Sequence, residues 1–496
     1  MAATRRTVMK RSLALGGAAV LGGPLARAAA AAAPGGNPAD LSLVRASALI
    51  GARKLSSLEL VEACLDRIDH RNTPVNAFAN VYAADARRAA RRHDKRRDHD
   101  ASPVAGLPLG LKDIYPAAGH PLTAGSKILA GNVADSDCPA WRRLRKQGMV
   151  LVGHTQTHEF AAGNFTPQSS NPWDTERTPG GSSGGSGIAT ALRMLPAATG
   201  SDTLGSLRIP ASLCGVCALK PTRGAVSVKG LIPFAPSFDH AGPMARSAAD
   251  VALLYTALAR GPRGARPRLR PRTGSKPLEG LRIGLPDQNF GKVALEPGIE
   301  ERSEAFAAEL QKLGARLVPF TAPRSPAENL SGAGGFSFFL TVVGAEVDAY
   351  HRRYYPARAG EYTSDVAFTL SLMRAANTVP NDPAAGRTIV DKLTADWTAA
   401  FKASRLDAVL QPTAVIETPK KSDAMLATQS IGDPMVVWDY TGFPSLCVQA
   451  GLSTRSGLPV GMQLAGLPGA EPNLLGIAID AQAHFPHHRH RPPGAR

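Results

Sequence analysis

Residues Thr178 to Gly187 read TPGGSSGGSG, and Gly200 to Pro210 read GSDTLGSLRIP. Such clusters of glycine, proline and serine are typical of tight turns. The chain from about residue 106 to 250 has the same character, with short apolar runs such as Val150 to Val152 and few long periodic helices. This stretch therefore predicts a core that is rich in tight turns and short strands.

Two interpretations of the first run are excluded by its context. Gly180-x-Ser182-x-Gly184 matches the nucleophile elbow of α/β-hydrolases, but that turn needs a strand directly before it, and residues 171–179 are polar and broken by proline. A phosphate-binding P-loop would need a lysine, which the run lacks. A flexible glycine- and serine-rich loop is the remaining simple alternative.

A third segment, Gly110-Leu-Lys-Asp113, sets a lysine in an apolar, glycine-rich stretch. Together, and in this order, the three segments resemble the amidase signature family over about residues 58 to 483. The resemblance implies a catalytic Ser-Ser-Lys triad, with Ser206 as nucleophile and with Ser182 and Lys112 as proton relay. The 24 residues from Ser182 to Ser206 match the family's spacing.

The resemblance also implies the surroundings of this triad. The peptide bond before the relay serine, Gly181–Ser182, is expected to be cis. The oxyanion hole is expected to consist of backbone N–H groups that also contact the substrate. These groups belong to Thr203, Leu204, Gly205 and Ser206. Structural support is expected from Gly181, Ser183, Asp202 and Arg208. We expect Asp202 and Arg208 to be an ion pair rather than catalysts.

Three residues depart from the family's usual pattern. Leu204 stands where glycine is most common, His154 where lysine is common, and Asp439 where asparagine is common. None of them removes a triad member. Leu204 is expected to narrow the oxyanion turn or to press into the acyl pocket, so the identity of the amide is left open.

Elementary chemistry supports these residue types independently. A serine hydroxyl is a weak nucleophile until a base removes its proton. Lysine serves as that base only when it is neutral, and burial penalises its charged form. The apolar neighbours Leu111 and Ile114 favour burial of Lys112. An intervening serine passes the proton to the lysine and returns one to the leaving amine.

The N-terminus predicts export. Arg5-Arg6 is followed by Lys10, an apolar segment from Ser12 to Leu25, and the small-x-small sequence Ala26-Arg27-Ala28. This order is typical of a twin-arginine signal peptide, residues 1–28, and the apolar segment is too short to span a membrane. We expect a periplasmic or secreted protein without a stable membrane anchor; a disordered basic N-terminus is the alternative.

Residues 29–490 are predicted to form one α/β domain with a large mixed, mostly parallel sheet covered by helices on both faces. Ser56 and Glu59 form a capping box that begins a helix, and residues 281–320 read as a strand-helix-strand unit. A surface loop at 260–277, a variable substrate-side insertion at 322–423 and a disordered tail at 491–496 are expected. Within the insertion, the aromatic residues Phe336, Phe338, Phe339, Tyr354 and Tyr355 either line an apolar site or belong to the core, and we expect most of them to be core.

Charge and cysteine content exclude other classes. The net charge of +17 falls partly in the basic runs 87–97 and 260–276, but these lack the aromatic side chains that stack bases, so no nucleic-acid partner is expected.

Five cysteines make no disulfide framework, and Cys214 and Cys217 are expected to be buried thiols. The C-terminal histidines between 484 and 490 favour a ragged end over a metal site. No metal and no cofactor are expected.

The predicted function is hydrolysis of a small-molecule carboxylic amide, linear rather than a peptide bond, by a monomer or homodimer. Two alternatives remain. One is an A-type subunit of an amidotransferase; the export signal argues against it. The other is an inactive periplasmic binding or scaffold protein of the same fold.

Overall fold

The computed structural model describes residues 36–96, 102–259, 267–287, 294–323, 340, 342–378, 383–427 and 434–495. The predicted signal peptide lies outside the described residues. So do Phe336, Phe338, Phe339 and part of the predicted loop at 260–277. Tyr354 and Tyr355 are described and pack, partly buried, against the hydrophobic core, as expected.

The strands of the described chain form one sheet of eleven. In chain order they are β1 (Phe78–Val81), β2 (Pro108–Lys112), β3 (Val150–Thr155), β4 (Ala197–Asp202), β5 (Cys217–Lys220), β6 (His240–Ala245), β7 (Arg282–Pro286), β8 (Arg316–Phe320), β9 (Ala408–Pro412), β10 (Ser445–Leu452) and β11 (Pro459–Ala465).

The α-helices of the same residues are α1 (Leu43–Gly51), α2 (Ser57–Arg71), α3 (Ala83–Lys95), α4 (Pro139–Lys146), α5 (Gly184–Ala191), α6 (Arg208–Cys214), α7 (Ala248–Leu258), α8 (Pro297–Lys312), α9 (Gly344–His351), α10 (Ser364–Thr378), α11 (Pro383–Ala403), α12 (Val436–Thr441) and α13 (Glu471–His484). Short 3-10 helices occur at Pro38–Asp40, Lys127–Leu129, Glu159–Ala161, Ala359–Glu361, His487–Arg489 and Pro493–Ala495.

The strand order is β1-β3-β2-β4-β6-β5-β10-β11-β9-β7-β8. Parallel pairing joins β3 to β2, β2 to β4, β9 to β7 and β7 to β8, whereas the other six neighbouring pairs are antiparallel. The sheet is therefore mixed, as predicted, but the expectation that it is mostly parallel is wrong for the described strands. Short connections such as residues 453–458 between β10 and β11 allow only antiparallel pairing.

The centre of the sheet is covered on both faces. Every residue of β2, β3, β4, β5, β6, β9 and β11 is buried. Strands that alternate their side chains between two faces are buried throughout only when both faces carry a packed layer. The α/β architecture with helices on both faces is thus as predicted.

Elements that were predicted from local sequence patterns are also present in the structure. The side chain of Ser56 accepts a hydrogen bond from the Glu59 N–H while the Glu59 side chain bonds back to Ser56, which completes the capping box of α2. The predicted strand-helix-strand unit is β7, α8 and β8, with β7 and β8 parallel. Cys214 and Cys217 are buried free thiols, as predicted.

The C-terminal segment is more ordered than expected. Pro493–Ala495 form a 3-10 helix, and Ala495 is only 2% exposed. His487 Nε2 lies 2.8 Å from Glu309 Oε2 on α8. The 3-10 helix and the burial of Ala495 correct the expectation of a disordered tail for residues 493–495. Across the ranges described above, no helix combines the length and the apolar character needed to cross a bilayer.

Candidate active site

The three predicted catalytic residues lie at one edge of the sheet. Lys112 is the last residue of β2, and Asp202, four residues before Ser206, is the last residue of the parallel neighbour β4. Parallel strands end at the same edge of a sheet, so both chain segments leave it side by side. Ser182 lies just before α5, and Ser206 just before α6.

Lys112 is fully buried between two serine hydroxyls. Its Nζ lies 2.6 Å from Ser182 Oγ and 2.9 Å from Ser201 Oγ. Burial lowers the pKa of Lys112 to about 7, against the opposing effect of the charges on Asp202 and Asp239. A large share of the amine is therefore neutral near neutral pH, with a lone pair for a proton from Ser182.

Ser201 was not predicted from the sequence, although a signal for it exists. Thr199 and Ser201 are polar residues two apart in the buried strand β4, so they point to the same face. That face meets β2, because Thr199 Oγ1 also accepts the backbone N–H of Lys112 at 3.3 Å. Polar side chains at this spacing in a fully buried strand need partners, and Lys112 supplies them.

Ser182 and Ser206 lie on adjoining turns. The Gly181–Ser182 peptide bond is cis, as the resemblance implies. The backbone N–H of Ser183 donates to the carbonyl oxygen of Ser206 at 3.2 Å, which joins the two turns. Among the described residues no hydrogen bond connects the two hydroxyls directly, and Ser206 is 4% exposed.

Gly181 cannot carry a side chain in this position. A Cβ there would lie 2.2 Å from the carbonyl oxygen of Phe165. Ser183 Oγ lies 3.3 Å from both the N–H and the carbonyl oxygen of Ser201. The relay turn is thereby packed closely against β4.

The Asp202 carboxylate organises the turn that carries the nucleophile. It accepts the backbone N–H of Gly205 at 2.6 Å and that of Leu207 at 3.2 Å. The predicted role of Gly205 as an oxyanion donor is therefore corrected: its N–H is bonded to Asp202. In the described structure, the N–H groups of Thr203, Leu204 and Ser206 have no acceptor.

Glycine is nevertheless required at 205. Its φ of 109° lies in the left-handed region, which side chains disfavour. A Cβ at this position would also meet Met435 Sδ at 2.9 Å and Ile209 Cδ1 at 3.0 Å. Leu204 has no such positive φ, and its side chain packs partly buried against the core. The turn thus accommodates leucine in place of the family's usual glycine.

The predicted ion pair of Asp202 and Arg208 belongs to a larger buried network. Arg208 Nε lies 2.9 Å from Asp202 Oδ2, and its Nη2 lies 2.6 Å from Asp439 Oδ2, with all three side chains 0% exposed. Burial opposes ionisation of Asp202, but Arg208 holds the pKa of that carboxyl well below its usual range. Burial raises the pKa of Asp439 well above its usual range, so one carboxyl is ionised and the other keeps a proton.

His154, the remaining departure from the family pattern, is hydrogen-bonded to protein groups through both ring nitrogens. Its Nδ1 lies 2.6 Å from the Tyr82 hydroxyl, and its Nε2 lies 2.9 Å from the carbonyl oxygen of Tyr115. Burial lowers the pKa of His154 to about 4, so the ring is neutral at physiological pH. Both nitrogens are engaged, which leaves none for proton transfer to a substrate.

No cluster of three or more metal-ligating side chains exists in the described ranges. This end of the sheet brings together a buried lysine, three serine hydroxyls and a row of backbone N–H groups. Together they can remove a proton from a hydroxyl, stabilise an oxyanion and return the proton.

Known proteins resemble this chain in sequence and in fold. The family described as Amidase matches residues 59–475. The A subunit of the glutamyl-tRNA(Gln) amidotransferase of Dechloromonas aromatica is 35% identical over 92% of this chain and 99% of its own. The structure of peptide amidase from Stenotrophomonas maltophilia is similar at a TM-score of 0.74, with 30% identity over 92% of this chain and 98% of its own. That of a 6-aminohexanoate cyclic dimer hydrolase has a TM-score of 0.78 and 27% identity over 92% and 99%.

Proposed function

Because the chain belongs to the amidase family, we propose that it hydrolyses a carboxylic amide to an acid and ammonia or an amine. The reaction proceeds through an acyl-enzyme on Ser206. The observation that carries the proposal is the 2.6 Å contact between the buried Lys112 Nζ and Ser182 Oγ. A lysine with this environment can act as a base near neutral pH.

In the proposed acylation step, Ser206 Oγ attacks the amide carbon. Its proton passes to Ser182, whose own proton passes to the neutral amine of Lys112. The carbonyl oxygen becomes an oxyanion, which the N–H groups of Thr203, Leu204 and Ser206 stabilise. One oxyanion-hole donor is worth roughly 2.7–4 kcal/mol in measured cases.

The same relay then runs in reverse. Lys112 returns its proton through Ser182 to the leaving nitrogen, so that the C–N bond breaks without expelling an amide anion. Water next attacks the ester on Ser206, its proton passing along the same relay, and the acid is released. Atoms and charges balance over the cycle without a cofactor.

We further propose that the enzyme acts after twin-arginine export, in the periplasm or outside the cell. The support for this is the order of Arg5-Arg6, an apolar segment and the Ala26-Arg27-Ala28 cleavage sequence. A small-molecule amide is the substrate class we propose.

A second candidate is favoured by a specific observation, the identity of 35% to the A subunit of an amidotransferase. A protein of that kind would release ammonia from glutamine. Glutaminase activity, together with inactivity on other amides, would favour it. An inactive binding or scaffold protein of the same fold would instead release nothing from any amide.

The test incubates the mature protein and its Ser206→Ala variant with aliphatic, aryl and peptide amides and with glutamine, and follows ammonia or amine release. We expect release by the wild type alone, and stoichiometric labelling of the wild type alone by a fluorophosphonate. Ser182→Ala and Lys112→Ala should each retain a small residual rate. Wild-type activity in Ser206→Ala, or no release and no labelling, would contradict the proposal.

A further inference from the structure

The 3-10 turn that follows β3 is bonded directly to the relay serine. The backbone N–H of His158 donates to the carbonyl oxygen of Ser182 at 3.1 Å. The imidazole of His158 packs edge-on against the Phe165 ring, with 4.8 Å between centroids. The backbone of Phe165 in turn touches Gly181 closely enough to exclude a side chain there. A shift of His158 would therefore move the Gly181–Ser182 peptide by two routes.

This turn has a conformation that its own residues disfavour. Phe160 and Ala161 have φ values of 49° and 59°, in the left-handed region, where Cβ crowds the following carbonyl oxygen. Two successive non-glycine residues of this kind persist only where surrounding contacts hold them. The position of His158 therefore depends on what packs against the turn.

Contacts to three consecutive residues of the turn come from the predicted variable insertion. His158 Nε2 lies 2.8 Å from Asp365 Oδ2 at the start of α10. Glu159 Oε2 accepts the N–H of Thr363 at 2.7 Å and its hydroxyl at 2.6 Å. The insertion is thus docked beside the relay serine by side-chain bonds. A third contact is the aromatic cluster of Phe160, Tyr350, His351 and Tyr362.

Both ring nitrogens of His158 face oxygen atoms. His158 is 1% exposed, and its Nδ1 faces the carbonyl oxygen of Glu159 at 3.2 Å while its Nε2 faces Asp365. The ring is thus oriented by a neighbour at each nitrogen. Asp365 lies in the first turn of α10, where the helix dipole favours an anion.

The other titratable groups around this pair have hydrogen-bond partners of their own. The second oxygen of Glu159 accepts a hydrogen bond from Ser126 at 2.5 Å. His351 Nδ1 lies 3.0 Å from the Tyr362 hydroxyl. Burial raises the pKa of Asp365, but the hydrogen bond and charge of His158 outweigh it and lower that pKa to about 2. Asp365 is therefore an anion throughout the neutral range.

We propose that His158 and Asp365 are positioning residues for the relay serine, through which the insertion sets how well Ser182 protonates the leaving nitrogen. This inference rests on the proposed function. It adds that the part of the chain expected to vary with substrate influences proton transfer as well as binding.

The test uses a substrate pair with one acyl group, a 4-nitroanilide and a 4-nitrophenyl ester. Expulsion of nitrophenolate needs no proton, whereas expulsion of the aniline does. For Asp365→Asn we expect kcat/KM on the anilide to fall about tenfold more than on the ester. The matched control is Asp396→Asn, which removes a partly exposed carboxylate from the Lys392–Asp396 pair of α11 in the same insertion and should leave the ratio unchanged.

Two further variants keep the outcome decisive. Asp365→Glu retains the carboxylate and should recover most of the ratio. His158→Gln keeps the backbone N–H and replaces Asp365→Asn as the test if that variant fails to fold. Equal losses on both substrates, or no loss, would overturn the inference while the proposed function stands. The acyl group is taken from an amide that the wild type hydrolyses; a wild type that hydrolyses no amide and takes no fluorophosphonate label would overturn both.

Discussion

The environment of Lys112 is very different from that of a surface lysine. Its amine is fully buried, and its two side-chain partners in the described structure are the hydroxyls of Ser182 and Ser201. An amine held by hydroxyls alone keeps its proton weakly, because nothing offsets the cost of burying the charge beyond the more distant acids. This is the physical reason why a lysine can be the base here.

Activity should rise with pH through about 7. Below that value Lys112 is protonated and accepts no proton, so the rate should fall about tenfold per pH unit; above about 8 it should level off. The measurement is kcat/KM against pH. The competing groups are Asp113, whose pKa burial raises to about 6, and Lys220, whose pKa burial lowers to about 7. Asp113→Asn and Lys220→Met should each retain the same profile. A flat profile in the wild type would remove Lys112 as the base.

Leu204 should restrict the acyl group. Leu204→Gly removes a half-buried side chain beside the nucleophile, so kcat/KM for a bulky aryl amide should rise severalfold relative to a small aliphatic amide. The same change should lower the free energy of unfolding by about 2 kcal/mol through lost burial and added chain freedom. Leu204→Ala should give intermediate values for both. An unchanged preference would place the acyl group elsewhere.

At the scale of elements, the turn between β4 and α6 depends on one buried network. Asp202 holds the turn by accepting hydrogen bonds from two backbone N–H groups. Arg208, the first residue of α6, forms ion pairs with Asp202 and with Asp439 of α12. Lys220 lies in the same region with three acceptors, including the carbonyl oxygen of Phe443 at 2.6 Å. The network therefore ties the nucleophile turn to the far half of the sheet.

Removal of Arg208 should be far more costly than alteration of Asp439. Arg208→Met leaves Asp202 as an uncompensated buried charge and should lower the free energy of unfolding by about 3–5 kcal/mol. Asp439→Asn keeps an acceptor for Arg208 and replaces a carboxyl that already holds its proton, so it should cost less than about 1 kcal/mol. Urea unfolding of both variants measures this difference. Similar losses would mean that Asp439 is ionised.

At the scale of the whole molecule, the candidate active site at the carboxyl ends of β2 and β4 is built from segments far apart in the chain. β2 and β4 supply Lys112 and Ser201, the turn before α6 supplies Ser206, and the insertion reaches the relay turn through Asp365. Every part must be present before the site exists. Export of such a protein by the twin-arginine route, which carries folded proteins, would be consistent with that requirement.

The export proposal makes a separate prediction. Replacing both Arg5 and Arg6 by lysine should keep the protein in the cytoplasm, since the charge is retained but the recognised pair is lost. Cell fractionation with antibody detection measures the distribution, and Lys10→Arg is the control that should export normally. Equal export of the double variant would contradict a twin-arginine signal.

Much of the fold, and the turns that carry the candidate triad, could be predicted from sequence because the signals are local. Glycine and serine spacing marks the turns before α5 and α6, the Ser56–Glu59 box marks the start of α2, and the pattern at 281–320 marks β7, α8 and β8. Each depends on backbone conformations that only certain residues adopt, or on periodicity within one element. The family resemblance then supplied the catalytic roles of Lys112, Ser182 and Ser206.

Other features depended on the tertiary structure. The sheet's mainly antiparallel pairing, the second hydroxyl at Lys112 from Ser201, the use of the Gly205 N–H by Asp202 and the bond from His158 to Asp365 all join residues by packing between elements. Nothing in the local sequence encodes such distances, because strand order and side-chain direction are settled only when every buried polar group finds a partner. Sequence determined which residues are available for catalysis, and the folded chain decided which of them meet.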